Sequence, residues 1–167
     1  KFDLLASDGE AVKPGQSLAR VEGLARAIPS SERTALNLLG RPSGVATLTR
    51  AYVDAVAGTK ARITDTRKTT PGLRQLEKYA VRCGGGANHR FGLFDQVLVK
   101  DNHIFLANAT GSREKIAALT RQIRAHVGPS IFVQVEATTQ DEALAAATSG
   151  ADSILFDNFQ PAALRTA

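Results

Sequence analysis

Apolar positions recur in two different rhythms along this chain, and the change comes near residue 59. In residues 1–29, "SDGEAVKPGQSLARVEG" sets Asp-Gly and Pro-Gly turns between apolar Val12, Leu18 and Val21, which predicts short strands and turns. Ser30 or Ser31 can cap a helix with Glu32 in its first turn, and Ala35, Leu36, Leu38 and Leu39 continue it. "GRPSG" at 40–44 is expected to interrupt that helix. Val45, Leu48, Tyr52, Val53 and Val56 then have helical spacing and carry a second helix to Gly58.

From residue 59 the pattern becomes strand then helix, repeated. Strands are predicted at Ala61–Asp65, Gln96–Lys100, Ile131–Glu136 and Ser153–Asp157. Helices are predicted at about 72–83, 112–126 and 140–149, and Pro161 is placed to open another. Four β-then-α units imply a parallel sheet with helices outside it. The runs "QVLV", "IFVQV" and "SILF" are nearly continuously apolar, as strands buried on both faces should be. A closed eight-unit barrel takes about 250 residues. The expected fold class is therefore α/β, with an incomplete α/β-barrel.

Each predicted strand ends in charged or polar groups: Thr66-Arg67-Lys68, then Lys100-Asp101-Asn102-His103, then Glu136, then Asp157-Asn158. The carboxyl ends of parallel strands form the mouth where α/β enzymes bind ligands. The mouth would hold Arg67, Lys68, Arg90 and Lys100 as cations, His89 and His103 as imidazoles, and Glu136 and Asp157 as carboxylates. Arginine forks match carboxylates and phosphates, and paired carboxylates suit Mg²⁺ or sugar hydroxyls. A polyanionic substrate carrying phosphates and a diol, with metal, fits that set. Arg74, Lys78 and Arg82 recur every four residues opposite Leu73, Leu76 and Ala80, and this stripe reads as a solvated helix face. Arg33 falls in the expected first helical turn, where the dipole disfavours a cation, and can be read as a surface residue or as a fork aimed at an anion.

The totals narrow the choice further. The 167 residues are 43% hydrophobic and 22% charged, enough for a packed core, with net charge +5 and a pI near 9.7. The basic balance suggests an anionic partner, but with no Trp and two Tyr there is no stacking surface for single-stranded nucleic acid. The single cysteine, Cys83, rules out an internal disulfide and suits a reducing compartment. No apolar run is of membrane-spanning length. Zinc is rejected for lack of a His-x-x-x-His or Cys pair, and a Ser/His/Asp hydrolase for lack of its Gly-x-Ser-x-Gly elbow. "GGG" at 84–86 is no Walker loop; it reads either as a helix stop or as a loop approached by ligand.

The runs "ERTALNLLGRPSGVATLT", "DTRKTTPGLRQLEKYAVRCGGGANHR", "LVKDNHI" and "ILFDNF", spanning residues 32 to 159, resemble the quinolinate phosphoribosyltransferases. "DGEAVKPGQSLARVEG" is also similar to that family's sheet domain. The resemblance implies part of an N-terminal α/β sandwich domain with connecting helices over 1–58, and the first half of an α/β-barrel domain over 59–167. It implies phosphoribosyl transfer from phosphoribosyl pyrophosphate to quinolinate with loss of CO₂, in NAD biosynthesis, aided by Mg²⁺ in the cytoplasm. It places Arg67, Lys68 and Arg90 around quinolinate with Thr66, His89 and Lys100 beside them, and Glu136 and Asp157 on ribose hydroxyls and Mg²⁺. Lys68, Lys100, Glu136 and Asp157 would be catalytic. Arg33 would reach the quinolinate site of a neighbouring subunit, which implies a homodimer or higher, with no nucleic-acid or membrane partner. The chain departs from the family in a longer segment at 104–135 and in Gln134, where an acid is common. The family's first helices are expected ahead of Lys1 and its Gly-rich phosphate loops after the fourth unit, so the chain looks truncated at both ends. A sister family linked to molybdenum transport shares the frame, and "NHR" with "KDNH" favours quinolinate over it. The competing expectations are a basic nucleic-acid-binding module and an inactive fragment that only assembles.

Overall fold

A computed structural model describes residues 1–165, and the chain divides into two compact units, Lys1–Phe91 and Gly92 onward. The first unit opens with β1 (Phe2–Leu4) and β2 (Ala19–Val21), paired antiparallel with Phe2 opposite Val21. Two turns with Gly9 and Gly15 at positive φ lie between them, as the Asp-Gly and Pro-Gly dipeptides require. Two helices follow, α1 (Ala27–Ala55) and α2 (Arg74–Cys83).

Helix α1 corrects the sequence reading in three ways. It is one helix of 29 residues, not two, and it runs through Pro42. A proline removes a single N–H donor, and the bonds on either side continue; the Ser43 hydroxyl donates to the Leu39 carbonyl at 2.7 Å. The helix also begins earlier than expected. Pro29 sits in its first turn, where a missing N–H costs nothing, and the chain already turns at Leu24, whose carbonyl accepts from Ala27 N–H at 2.9 Å. Ser30 and Ser31 are therefore inside the helix and donate back to Arg26 and Ala27 carbonyls at 2.8 and 3.1 Å rather than capping it. Arg33 consequently lies beyond the first turn, and the dipole argument for it lapses.

The predicted strand at 61–65 is reduced to one parallel bridge, Thr64 to Ala87, with Asp65 N–H donating to Ala87 carbonyl and Ala87 N–H to Ile63 carbonyl. Helix α2 ends in a Schellman motif: Gly86 N–H reaches Val81 carbonyl, Gly85 N–H reaches Arg82 carbonyl, and Gly85 has φ +88°. The Gly triplet is also a packing device. A Cβ at Gly84 would stand 2.5 Å from the Ala46 carbonyl oxygen of α1, and one at Gly86 would stand 2.8 Å from the Thr49 Cγ2. Arg41 of α1 adds a polar tie, with Nη2 donating to Glu77 at 2.7 Å and to Thr70 at 2.6 Å.

The second unit is a three-stranded parallel sheet, β3 (Val97–Val99), β4 (Val133–Ala137) and β5 (Ser153–Phe156), in that order. Helices α3 (Asp101–Leu106), α4 (Arg113–Val127), α5 (Gln140–Ala147) and α6 (Pro161–Leu164) connect or follow the strands. Helix α3 was not foreseen; "KDNH" starts it directly after β3. Val99, Val133 and Val135 share one sheet face and pack with Ile104, Ile116, Ala145 and Ala146 to form the core. Leu98, Gln134 and Ser153 are register neighbours on the other face. Ser112 and Thr139 cap α4 and α5, accepting N–H bonds from Lys115 and Glu142. Arg124 of α4 staples the strand entrances, donating to the Gly128, Ile131 and Gly150 carbonyls and to the Asp152 carboxylate.

Two glycines give opposite expectations. Gly84→Ala should lower unfolding free energy by about 1–3 kcal/mol because backbone and side chain of α1 block the new methyl. Gly44→Ala, with open space around it in the middle of α1, should raise it by about 0.5–1 kcal/mol. Urea denaturation of both variants checks the pair.

Candidate functional site

In the first unit the bridge at Thr64 and Ala87 sends two chain segments out side by side. One carries Asp65-Thr66-Arg67-Lys68, the other Asn88-His89-Arg90. Asp65 joins them: its carboxylate accepts from His89 N–H at 2.8 Å and from the Asn88 side-chain amide at 2.5 Å. Lys78 of α2 completes the tie, donating Nζ to Asp65 at 2.6 Å and to the His89 carbonyl at 2.9 Å. The Lys78 and Asp65 side chains are only 5% and 7% exposed. This overturns the solvated-stripe reading of Arg74, Lys78 and Arg82. Arg82 alone of the three is exposed, stacked over Tyr79 at 5.5 Å, while Arg74 and Lys78 face inward.

The sequence-predicted residues of this unit sit on that frame. Arg90 is 7% exposed and His89 half-buried. Arg67 is half-buried, and its Nε is a buried donor without a protein hydrogen-bond partner, an arrangement that costs about 1–3 kcal/mol unless an acceptor arrives. Lys68 is exposed, and its N–H donates to the Thr66 hydroxyl at 3.0 Å, which turns the segment sharply. Arg33 stands exposed on α1 and, among the described residues, makes no hydrogen bond or ion pair with these segments. Alternation could not have shown that Lys78 turns inward: the four-residue spacing of Arg74, Lys78 and Arg82 is the same whether the stripe meets solvent or an acid thirteen residues away in sequence.

In the second unit, Lys100 follows β3, Glu136 lies in β4 and Asp157 follows β5. The register places Val99 opposite Val135, so Lys100 falls beside Glu136 on the face shared with Leu98 and Gln134. Glu136 pairs with Leu155, and Asp157 is two residues further along the same face, anchored by its N–H to the Ala137 carbonyl at 3.1 Å. Burial pushes the Glu136 carboxyl above its ordinary range; Lys100 opposes this, the Asp157 and Asp101 charges reinforce it, and the Asp101 N–H opposes it again. His103 Nδ1 accepts the Lys100 N–H at 2.9 Å, and Asn158, at φ 57°, donates to the Asp157 carboxylate at 2.8 Å. Gln134, the departure noted in the sequence, donates to the Ser153 hydroxyl at 3.1 Å.

Glu136 and Asp157 can supply the one or two carboxylates with which Mg²⁺ is commonly held beside substrate phosphates. Among the described residues no cluster of three or more His, Cys, Asp or Glu forms a closed metal cage. A second cation near Glu136 would relieve the repulsion it feels from the Asp157 and Asp101 carboxylates. The donor set therefore fits Mg²⁺ shared with a ligand.

The buried pair predicts that Lys78→Met will cost about 3–5 kcal/mol in urea unfolding, because Asp65 is left charged and buried, whereas Arg82→Met will cost under about 1 kcal/mol. Glu136 binds its proton more tightly when folded than the ordinary 4.5, so its ionisation lowers stability as pH rises from that value through the raised one. Glu136→Gln should accordingly melt above the parent at pH 7 and match it well below pH 4.5, measured by calorimetry at both pH values.

Over residues 45–167 the chain matches the family described as quinolinate phosphoribosyl transferase, C-terminal domain, and over residues 1–43 its N-terminal domain. A probable nicotinate-nucleotide pyrophosphorylase (carboxylating) of Bacillus subtilis is 46% identical over 158 residues, 95% of this chain and 53% of that protein. The human nicotinate-nucleotide pyrophosphorylase (carboxylating) is 42% identical, over 92% of this chain and 50% of its own length. The crystal structure of NadC from Streptococcus pyogenes superposes with TM-score 0.89 at 39% identity, covering 99% of this chain and 57% of that one. The chain thus spans about half the length of the curated relatives it matches. With the two family models matching consecutive stretches of the chain, and with parallel strands carrying the expected groups at their carboxyl ends, the chain belongs to the quinolinate phosphoribosyl transferase family.

Proposed function

We propose that this chain takes part in phosphoribosyl transfer from phosphoribosyl pyrophosphate to quinolinate with decarboxylation, giving nicotinate mononucleotide, diphosphate and CO₂. The observation that carries the reading is the pair of segments at Arg67-Lys68 and His89-Arg90. They carry basic groups on two adjacent segments, including a buried guanidinium donor without a partner, in a chain of this family. A pyridine with two adjacent carboxylates is the anion such a set suits, because arginine forks accept carboxylates in a fixed plane.

The chemistry assigns the residues as follows. Arg67, Lys68 and Arg90, with Thr66 and His89 beside them, bind and orient the dicarboxylate. The ring nitrogen attacks the ribose C1, a new N–C1 bond forms, the C1–O bond breaks, and diphosphate leaves with its electron pair. Glu136 and Asp157 orient the ribose hydroxyls. Bound there with the substrate phosphates, Mg²⁺ would neutralise charge on the leaving diphosphate. The carboxylate next to the alkylated nitrogen then departs as CO₂ and leaves its electron pair on ring carbon. Lys68 and Lys100 stabilise that charge, and His89 is assigned to deliver the proton that quenches it. Arg33, exposed on α1, is offered to a neighbouring copy in a homodimer or larger assembly, working in the cytoplasm. No helix among the described residues is long and apolar enough to cross a membrane.

Titration calorimetry with quinolinate tests this, on the chain itself and on a chimera in which a relative supplies the remaining length. The chimera should bind one quinolinate per chain, and Arg67→Ala should weaken binding by about tenfold or more, as loss of a charged hydrogen bond implies. Lys68→Ala should lower chimera turnover by about 10²–10³. Absence of quinolinate binding by both proteins, together with salt-sensitive retention on DNA, would replace this reading with a nucleic-acid one.

A further inference from the structure

Arg74 opens α2, where the helix dipole disfavours a cation, so helix stability does not explain it. Its guanidinium is fully engaged elsewhere. Nε donates to the Thr69 hydroxyl at 3.1 Å, Nη2 to the Arg67 carbonyl at 3.3 Å and Nη1 to the Phe91 carbonyl at 3.1 Å. Thr69 and Arg67 belong to one basic segment, and Phe91 directly follows Arg90 in the other. One turn along the same face, Lys78 holds Asp65 and the His89 carbonyl in the same manner. The inward edge of α2 thus grips both segments twice, at their near ends through Lys78 and at their far ends through Arg74.

We infer that Arg74 is a positioning residue for substrate specificity. By bridging the two segments it sets the spacing between Arg67-Lys68 and His89-Arg90, and hence the match to a ligand with two neighbouring carboxylates. This rests on the quinolinate reading above. The three acceptors on the two segments are met by donors on three separate nitrogens of one rigid plane, whereas an ammonium carries all its donors on a single atom. Arg74 itself touches no reacting atom.

Two measurements on Arg74→Met and Arg74→Lys decide it. Hydrogen exchange in the free protein should be at least about tenfold faster in Arg74→Met at Thr69 and His89, whose amides are bonded within the gripped segments, with residues 76–83 of α2 unchanged. Unchanged exchange at those amides would overturn the inference. In the chimera, the ratio of quinolinate to nicotinate affinity should also fall at least about tenfold in Arg74→Met, with partial recovery in Arg74→Lys. An equal fall for both ligands would mark a merely structural role and overturn it. If the parent chimera shows no preference for the dicarboxylate, the functional reading fails, and the exchange experiment alone still decides whether Arg74 couples the two segments.

Discussion

A single buried ammonium organises the basic segments of the first unit. Lys78 sits between the Asp65 carboxylate and the His89 carbonyl, almost wholly out of water. A charge buried there is tolerated only because it is paired and hydrogen-bonded, and removing either partner strands the other. Asp65 in turn spends its remaining lone pairs on the Asn88 amide and the His89 N–H. The bridge between Thr64 and Ala87 is too short to hold two loops by backbone bonds alone. The ion pair does what a longer strand would otherwise do, and the cations that follow inherit its geometry.

The strand-end residues of the second unit are placed by another device. Parallel register sets Lys100, Glu136 and Asp157 at neighbouring strand ends on the face turned away from the valine core. Glu136 is 8% exposed, and its carboxyl is pushed up by burial and by two nearby acids. A group arranged for folding alone would not be placed so. Unfavourable burial of a carboxylate beside an ammonium is instead consistent with the proposed role of Glu136 toward hydroxyls and a shared cation.

Two features that the sequence left open or read differently are settled by the fold. The Gly triplet closes α2 and lets it approach α1 at a distance no Cβ would permit. Pro42, read as a break, lies in a continuous helix because one missing donor does not outweigh the surrounding bonds. Conversely, Arg74 and Lys78, read as a solvated stripe, are the residues that grip the two basic loops. The roles of the Gly triplet and of Arg74 and Lys78 share a cause: each depended on which neighbour the residue met across the tertiary structure.

Period and punctuation were enough to determine the α/β class, the three apolar strands with their helices, and the charged ends of those strands, because strand burial and helix amphipathicity are written locally. The candidate residues Arg67, Lys68, Arg90, Lys100, Glu136 and Asp157 were legible for the same reason: each ends or follows a segment whose type the pattern reveals. The sequence did not show which cations serve the ligand and which serve the frame. Lys68 and Lys78 are the same residue type ten positions apart, yet one is exposed and the other buried against Asp65. Only the folded chain decides that, because a lysine's role follows from the carboxylate it meets in space, thirteen residues away in sequence.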